Sequence, residues 1–262
     1  MEQPWLTVVT VVKDALSDFQ ETAQSVAAQD CSGVEYLIID SSVCESDIPE
    51  AVDAIPGLSA RVTWTPPRGI YRAMNAGLEQ SRGDYVYFAN AGDVFFNSGV
   101  LRSVRSLVEE MRPPWLFGDV EILEASGRRV ITPRWDYEAE KAVAFSRGHF
   151  PCHQGMFVRL ELLRAQGGFD LGYSIVADYA AFLRLSLEHD PLYVDEVIAT
   201  FREGGVSTTR WKESFRQFHR ARREILAPTG VLAARERLES LRQFIMVFVS
   251  RDILSRVRRA AT

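Results

Sequence analysis

Short apolar runs alternate with segments of helical spacing through the first 112 residues, and this alternation constrains the fold most. The first run, residues 6–12 (LTVVTVV), is rich in the β-branched residues of buried strands, and residues 18–29 follow with apolar side chains at helical spacing. Further strands are predicted at residues 35–40, 60–64 and 85–88, followed by helices near 47–54, 71–81 and 98–111. This repetition predicts an α/β fold with a mainly parallel sheet flanked by helices on both faces.

The pattern changes after residue 114. A strand at residues 115–123, a turn at 125–127 and a strand at 129–133 predict a hairpin. Further on, the spacing predicts a helix over residues 175–188 and a strand over 191–194. A chain of 262 residues is long enough to bury a sizeable core, and one large domain with a tail is the simplest organisation.

The charge is unevenly distributed along the chain. Residues 210–262 carry 13 basic and 5 acidic side chains, a net charge of +8, which leaves −13 for residues 1–209 of a chain whose total is −5. Apolar side chains among the arginines predict an amphipathic basic helix in this tail. Such a helix either lies on an anionic membrane surface or packs on the body or on a second subunit of a homodimer.

Several classes of protein are excluded. No apolar stretch approaches the roughly 20 residues of a membrane span, and the first residues do not form a signal sequence, so we expect a cytoplasmic protein. The three cysteines, Cys31, Cys44 and Cys152, have no CxxC spacing, which argues against a disulfide framework or a zinc site. The chain has no glycine-rich dinucleotide loop after its first strand, no Walker-type Gly-Lys-Ser/Thr and no Gly-x-Ser-x-Gly elbow.

Polar residues follow the first, second and fourth predicted strands, and a Pro-Pro-Arg-Gly loop follows the third. Parallel sheets bind ligands beyond the carboxyl ends of their strands, so these segments predict a pocket. Asp40 is placed to accept hydrogen bonds from a base or ribose, or else it begins a turn. Arg68 and the backbone of Gly69 are placed to meet a diphosphate, or else Arg68 is an exposed arginine beside two prolines.

A series of short motifs continues along the chain. Residues 69–77 read GIYRAMNAG, and residues 90–93 read NAGD after a buried strand. Downstream come residues 118–120 (GDV), 152–155 (CHQG), 167–170 (GGFD), 177–179 (ADY) and 204–207 (GGVS). Over residues 5–207 this order and spacing resembles the family 2 inverting glycosyltransferases of the GT-A fold, whose usual wording for the first motif is GIYDAMNKG.

The resemblance implies a Rossmann-like GT-A domain over residues 1–209, with a nucleotide-binding half at about 1–112 and an acceptor half at about 113–209. Residues 210–262 form the helical basic tail. Within the family, the resemblance is closest to the small bacterial enzymes of exopolysaccharide, O-antigen or glycolipid biosynthesis. It implies a donor linked to UDP, GDP or dTDP, a saccharide or lipid-linked acceptor, and no nucleic-acid partner. The enzyme would be cytoplasmic. If the tail binds lipid, the enzyme would lie at the inner face of the cell membrane.

Two carboxylates carry the implied chemistry. Asp93 stands where the family has its metal motif, and one carboxylate suffices for Mn²⁺ or Mg²⁺ when donor phosphates complete the coordination shell. Asn90 replaces the first acid of that motif, and the same four residues also suit a simple turn. Asp178 matches the family's catalytic base, although it also suits the first turn of a helix, and Ala177 replaces the acid that commonly precedes it.

The remaining predicted site residues fall into two groups. The nucleotide-sugar-binding group is Thr10, Val12, Asp40, Arg68, Gly69, Asn75, Asn90 and Ala91; contacts to the acceptor or sugar are assigned to Asp119, His153 and Gln154. Arg72 departs from the family's usual Asp, which indicates either a different substrate or an outward-facing side chain.

Two other functions are compatible with the fold. A sugar nucleotidyltransferase would need a glycine-rich basic loop after the first strand, and residues 9–18 contain no glycine. A non-catalytic sugar-nucleotide-binding or scaffold subunit would be consistent with Asn90 in place of an acid and with Arg72. Both remain alternatives to the transferase at this point.

Overall fold

The computed structural model describes residues 3–43, 47–132 and 150–248. Within them one sheet of nine strands forms the centre of the molecule. The strands are β1 (Leu6–Val12), β2 (Val34–Asp40), β3 (Arg61–Trp64), β4 (Tyr85–Phe88), β5 (Val94–Phe95), β6 (Trp115–Leu123), β7 (Arg129–Ile131), β8 (Met156–Arg159) and β9 (Leu192–Arg202). Their order is β3-β2-β1-β4-β8-β6-β9-β5, with β7 paired to β6.

The sheet has a parallel half and a mixed half. Strands β3, β2, β1 and β4 are all parallel, as the alternation of strand and helix predicted. Strand β8 runs antiparallel between β4 and β6, and β6 pairs in parallel with β9. Because β1 lies between β2 and β4, the chain leaves β1 to one side and later returns to the other, which opens a crevice at the carboxyl end of β1.

Helices cover both faces of the sheet. They are α1 (Leu16–Ala27), α2 (Ile48–Asp53), α3 (Ile70–Gln80), α4 (Val100–Met111), α5 (Leu160–Ala165), α6 (Ala177–Glu188), α7 (Val206–Thr209), α8 (Trp211–Leu226) and α9 (Gly230–Phe248). Successive residues of a strand point to opposite faces, so β1 contributes Val9 and Val11 to one core layer and Val8 and Val12 to the other. The α/β fold is therefore confirmed.

Helix α3 lies unusually close to the sheet. A Cβ atom added at Gly77 would stand 2.4 Å from Cγ1 of Val9 in β1, so only glycine allows this approach. The close packing fixes where the first turn of α3 meets the carboxyl ends of the parallel strands. That turn carries Tyr71, which contacts the site described below.

Strand β9 is longer than predicted. The prediction covered residues 191–194, whereas the strand runs from Leu192 to Arg202. Its pairing with β6 shifts register on either side of Asp119, and the exposed Asp195 and Glu196 lie at this irregularity. These charges interrupt the alternation of apolar and polar residues that would have marked a long strand. Cys44, Pro133 and residues 249–262 lie outside the described residues.

The first helix of the basic tail packs on the body. Ala221 of α8 is fully buried, and the side chain of Gln217 accepts a hydrogen bond from the backbone N–H of Ile175 (3.0 Å). Helix α9 instead exposes an apolar row, Val231, Leu238, Leu241 and Ile245. Among the described helices, none has the length and apolar character needed to cross a bilayer.

Candidate active site

Residues Asn90 to Asp93 form a tight turn at the end of β4. The N–H of Asp93 donates to the carbonyl of Asn90 (2.8 Å), and Gly92 has a φ of 99°, which glycine adopts without strain. Helix α1 holds this turn in place, because the N–H of Gly92 donates to the hydroxyl of Thr22 in α1 (2.9 Å). This arrangement places the Asp93 side chain at the carboxyl edge of the sheet.

The Asp93 carboxylate is buried and accepts few hydrogen bonds. Its Oδ2 accepts one from the backbone N–H of Asn90 (3.2 Å). Burial raises the pKa of Asp93 to about 6, and this effect is only partly opposed by His153, the Asn90 backbone and the side chain of Gln154. Beside it, the side-chain Oδ1 of Asn90 is buried and has no hydrogen-bond partner among the described residues.

The Asp178 carboxylate is held on both of its oxygens. It lies in the first turn of α6, where its Oδ1 accepts a hydrogen bond from the hydroxyl of Tyr71 (2.7 Å). Its Oδ2 lies 3.1 Å from Nδ1 of His153. Burial alone would raise the pKa of Asp178, but the hydrogen bonds and charge of His153, together with Tyr71, hold that pKa below its ordinary value. Asp178 is therefore held in its ionised form.

His153 connects the two carboxylate regions. It begins a 3₁₀ turn before β8; its Nδ1 faces Asp178, and its Nε2 lies 3.3 Å from Nδ2 of Asn90. Burial would lower the pKa of His153, yet the hydrogen bond and charge of Asp178, followed by the charge of Asp93, raise it above the ordinary histidine value. The imidazole thus spans the pocket wall between the base candidate and the metal candidate.

These side chains line one pocket of about 540 Å³. Asn90, Ala91, Asp93, His153, Gln154 and Asp178 all contribute to its wall. At its rim, Arg202 from the end of β9 pairs with Asp18 (3.6 Å) and Glu21 (2.5 Å) of α1. The loop around Gly204 and Gly205 completes the wall, so the pocket lies where the parallel and mixed halves of the sheet meet.

A smaller neighbouring pocket of about 190 Å³ lies at the ends of β1 and β2 and shares Ile70 with the first. Val12 and Gly69 line it. Two other predicted nucleotide contacts flank this region without lining either pocket: Asp40 is buried and accepts a hydrogen bond from the N–H of Ser42 (2.9 Å), and Arg68 is exposed.

Three predicted site residues use their side chains elsewhere. The hydroxyl of Thr10 pairs with that of Tyr36 (3.0 Å) inside a core layer. The amide of Asn75 donates to the carbonyl of Phe169 (2.8 Å) and accepts from its N–H (2.9 Å), so it fastens α3 to the loop before α6. Asp119 accepts a hydrogen bond from the hydroxyl of Tyr193 (3.4 Å). Arg72 faces solvent from α3, which agrees with the outward-facing interpretation.

The donor set fits a hard divalent cation. Asp93 supplies a carboxylate, and the buried Oδ1 of Asn90, which has no hydrogen-bond partner in the part of the chain that the structure describes, is an amide oxygen. Oxygen ligands of this kind suit Mg²⁺ and Mn²⁺, which keep several positions for phosphates and water. Within the described residues no three His, Cys, Asp or Glu side chains cluster as a complete metal cage. The site would therefore need a ligand that brings oxygen atoms of its own.

The sequence reasoning missed two participants. Tyr71 stands inside the quoted GIYRAMNAG motif but received no role, although its hydroxyl touches Asp178. A tyrosine on the apolar side of a predicted helix is interpreted most simply as part of the core, and the Tyr71 ring is indeed buried. Arg202 had no signal, because nothing in the sequence locates the end of β9 at the rim of the pocket.

A sequence profile of the family "Glycosyl transferase family 2" matches residues 7–165. Among curated proteins, a PGL/p-HBAD biosynthesis glycosyltransferase of Mycobacterium bovis is 25% identical over 217 residues, which is 80% of this chain and 81% of the relative.

Solved structures share the fold. TarS 1-349 of S. aureus superposes with a TM-score of 0.68 at 16% identity, covering 94% of this chain and 73% of TarS. A structure of the same protein in complex with UDP-GlcNAc gives a TM-score of 0.64. The mannosyltransferase PcManGT of Pyrobaculum calidifontis, in complex with GDP-Man and Mn²⁺, gives 0.65 at 16% identity, covering 88% of this chain and 66% of PcManGT. These similarities identify the fold as GT-A.

Proposed function

The chain belongs to glycosyl transferase family 2 and is a sugar-transferring enzyme, and from that premise we propose its reaction. It moves a sugar from a nucleotide-sugar donor to a hydroxyl group of a saccharide or lipid-linked acceptor, with inversion at the anomeric carbon and with Mn²⁺ or Mg²⁺. The observation that carries the proposal is the meeting of Asp93 and Asp178 in one pocket, with His153 between them.

Asp178 acts as the general base. The acceptor oxygen forms a bond to the anomeric carbon while the bond from that carbon to the diphosphate oxygen breaks and its electron pair leaves with the nucleoside diphosphate. The hydroxyl proton passes to the Asp178 carboxylate. An ionised carboxylate is required for this step, and the His153 and Tyr71 contacts keep Asp178 ionised despite its burial. Attack opposite to the leaving group inverts the anomeric configuration.

Asp93 and Asn90 would hold the divalent cation with their oxygen atoms. When bound, such a cation neutralises the negative charge that grows on the departing diphosphate. Burial supports this role: the raised pKa of Asp93 reports an under-solvated carboxylate, whose charge a cation would compensate better than the available backbone donors do.

The donor is a UDP-, GDP- or dTDP-linked sugar. TarS has been solved with UDP-GlcNAc and PcManGT with GDP-Man, which supports a nucleotide-sugar donor without selecting the base. The nucleoside belongs in the small pocket at the ends of β1 and β2, beside Val12 and Gly69. The diphosphate then extends past Ile70 toward Asp93 in the larger pocket.

The acceptor belongs to cell-surface polysaccharide or glycolipid biosynthesis. The M. bovis relative is named for PGL/p-HBAD biosynthesis, which supports an acceptor of this kind. Helix α9 exposes an apolar row, and the exposed Arg237 and Arg242 flank it, so the tail is suited to an anionic membrane surface where such acceptors lie.

The reaction is tested with a panel of UDP-, GDP- and dTDP-sugars, saccharide and lipid-linked acceptors, and Mn²⁺. Released nucleoside diphosphate and the anomeric configuration of the product by NMR are the readouts. An inverted product with one donor class is expected. Retention of configuration would contradict the base mechanism, and donor binding without any turnover across the panel would favour a non-catalytic scaffold subunit.

Membrane binding is tested separately by co-sedimentation with vesicles of anionic or neutral lipid, comparing the full chain with a variant in which Leu238, Leu241 and Ile245 are replaced by Ser. The full chain should pellet with anionic vesicles and the variant should not. Equal pelleting of both would contradict a lipid role for the row, and a change in molecular mass without vesicles would assign it to a second copy of the chain.

A further inference from the structure

The hydroxyl of Tyr71 lies between two acceptors. Its oxygen is 2.7 Å from Oδ1 of Asp178 and 2.6 Å from the carbonyl oxygen of Ile175. A phenol carries one proton and can donate one strong hydrogen bond at a time. Burial and the charge of Asp178 raise the pKa of Tyr71 far above its ordinary value, so the hydroxyl keeps that proton throughout the working range of pH.

The charge of Asp178 decides which acceptor receives the proton. A carboxylate binds an O–H donor more strongly than a peptide carbonyl does, so the proton points to Asp178 while that group is ionised. After Asp178 has taken up a proton it is a weaker acceptor, and the carbonyl of Ile175 becomes the better partner. The hydroxyl can turn about its C–O bond without any movement of the ring.

The ring itself is immobilised. It is buried in the core and packs against Phe169, with ring centroids 5.9 Å apart. The backbone of Ile175 is held too, since its N–H donates to the side chain of Gln217 from α8 (3.0 Å). Both ends of the two hydrogen bonds are therefore fixed by packing, and only the proton is free to move.

We infer that Tyr71 is a positioning residue whose hydroxyl holds the Asp178 carboxylate in place before transfer and turns to the carbonyl of Ile175 once Asp178 is protonated. This inference rests on the proposed role of Asp178 as the base. Tyr71 would hold the ionised carboxylate in the orientation that receives the acceptor proton, and its hydrogen bond to the base would weaken once the base is protonated.

Within residues 3–43, 47–132 and 150–248, the titratable groups that act on Asp178 besides Tyr71 come from one short segment and the neighbouring turn. His153 contacts its Oδ2, Cys152 lies within its electrostatic reach, and Asp93 acts on both of these residues. From α3 the hydroxyl of Tyr71 is the hydrogen-bonding group. Replacing Tyr71 therefore changes the side of Asp178 that faces α3 and leaves the His153 contact intact.

The test compares Tyr71→Phe with Tyr85→Phe. Tyr85 is the matched control, since it is also buried and donates to a backbone carbonyl, that of Pro113 (2.6 Å), but lies outside the pocket. Because the Asp178 carboxylate would no longer be held in position, kcat of Tyr71→Phe should fall about 10- to 100-fold. It should also move the acidic limb of the kcat–pH profile up by about one pH unit. Nucleoside-diphosphate affinity should change less than about 2-fold, as expected for a residue acting after donor binding.

Tyr85→Phe should keep the wild-type kcat and pH profile. Wild-type behaviour of Tyr71→Phe, or equal losses in both variants without a shift of the limb, would overturn the inference. If Tyr71→Phe does not fold, 3-fluorotyrosine at position 71 retains the hydroxyl as a stronger donor and should move the limb the other way; no movement would again overturn it.

Asp178→Asn separates this inference from the proposed function. Full turnover of Asp178→Asn would remove the base assignment itself. An inactive Asp178→Asn together with a wild-type Tyr71→Phe would remove only the role of Tyr71.

Discussion

Asp93 is buried and Asp178 is half-buried in the wall of the same pocket, yet the structure treats their charges in opposite ways. Asp93 has one backbone N–H at 3.2 Å and a pKa raised to about 6. Asp178 has Tyr71 on one oxygen and His153 on the other, and its pKa is lowered. Burial is the largest influence on both groups, so it cannot account for the difference.

The difference lies in the partners. Two side chains from separate elements neutralise and orient Asp178, so its charge is stable without a ligand. Around Asp93 the charge of His153, the backbone of Asn90 and the side chain of Gln154 offset burial only in part, so its charge is costly until something positive binds. This contrast supports the proposed roles of Asp178 as the base and of Asp93 as a ligand of the cation.

The largest expected effect is on turnover at Asp178. Replacing Asp178 with Asn removes the proton acceptor, and kcat should fall by about 10³-fold because general base catalysis contributes on this scale. Affinity for the nucleoside diphosphate, measured by calorimetry, should stay within about 2-fold. Asp170→Asn is the matched control, since Asp170 pairs with Arg184 outside the pocket (3.0 Å) and should keep wild-type turnover. Near-normal turnover of Asp178→Asn would abolish the distinction between the two carboxylates.

The next effect is on metal-dependent binding at Asp93. Asp93→Ala should weaken binding of the nucleoside diphosphate in Mn²⁺ by about 10- to 100-fold, because a ligand of the cation is lost. In EDTA the same substitution should change affinity little. A manganese titration with both proteins separates these cases, and equal affinities at every concentration would refute the metal assignment.

The two carboxylates should also affect stability with opposite signs. The folded pKa of Asp93, about 6, exceeds its unfolded value of about 3.8. Ionisation of Asp93 therefore lowers the free energy of unfolding of the metal-free protein progressively from pH 3.8 to 6, and the full loss is reached above pH 6. In EDTA at pH 7.5, Asp93→Asn should therefore raise the free energy of unfolding, by about 3 kcal/mol. The gain should vanish near pH 4.

Asp178 should behave in the reverse way. Its folded pKa is lowered, so its contribution is present above the unfolded value of 3.8 and is lost as the pH falls through the folded value. Asp178→Asn should lower the free energy of unfolding at pH 7.5 by about 2 kcal/mol, since it breaks the contact with His153. Urea unfolding of both variants from pH 4 to 7.5 measures the two signs, and shifts in the same direction would contradict the comparison.

The smallest expected effect is on the alkylation rate of Cys152, because the charges of both Asp178 and Asp93 act on its thiol. Burial raises the pKa of Cys152 to about 11, with further contributions from Asp178 and then Asp93. Alkylation at pH 8 should therefore be slow, and about 2- to 5-fold faster in Asp178→Asn, with a smaller gain in Asp93→Asn. Peptide mass spectrometry reads this site separately from the exposed Cys31, whose rate should not change. A larger effect from Asp93 would reverse the predicted order.

Much of the fold could be predicted from sequence. Strands β1 and β4 begin and end where the apolar runs do, because parallel strands covered on both faces need continuous apolar residues. The ends of α1, α3 and α4 were predicted within about two residues. Strand β9 was not, because exposed acidic residues and a change of register interrupt its pattern.

The site was predictable only in part. Asp93 and Asp178 stand in short motifs, so their presence in the pocket follows from a strand end and a helix start. The contact between Tyr71 and Asp178 depends instead on how α3 and α6 pack, and no local pattern encodes that. The same holds for Asn75, whose sequence context suggested a ligand contact while its side chain joins α3 to Phe169.

The contacts that build the pocket are far apart in the chain. Tyr71 and Asp178 are separated by 107 positions, Asn75 and Phe169 by 94, and Asn90 and His153 by 63. Closing loops of this length is slow compared with forming local helices and turns. Asp178, the proposed base, therefore reaches Tyr71 only after a long-range contact has formed, and a chain without that contact lacks a complete site.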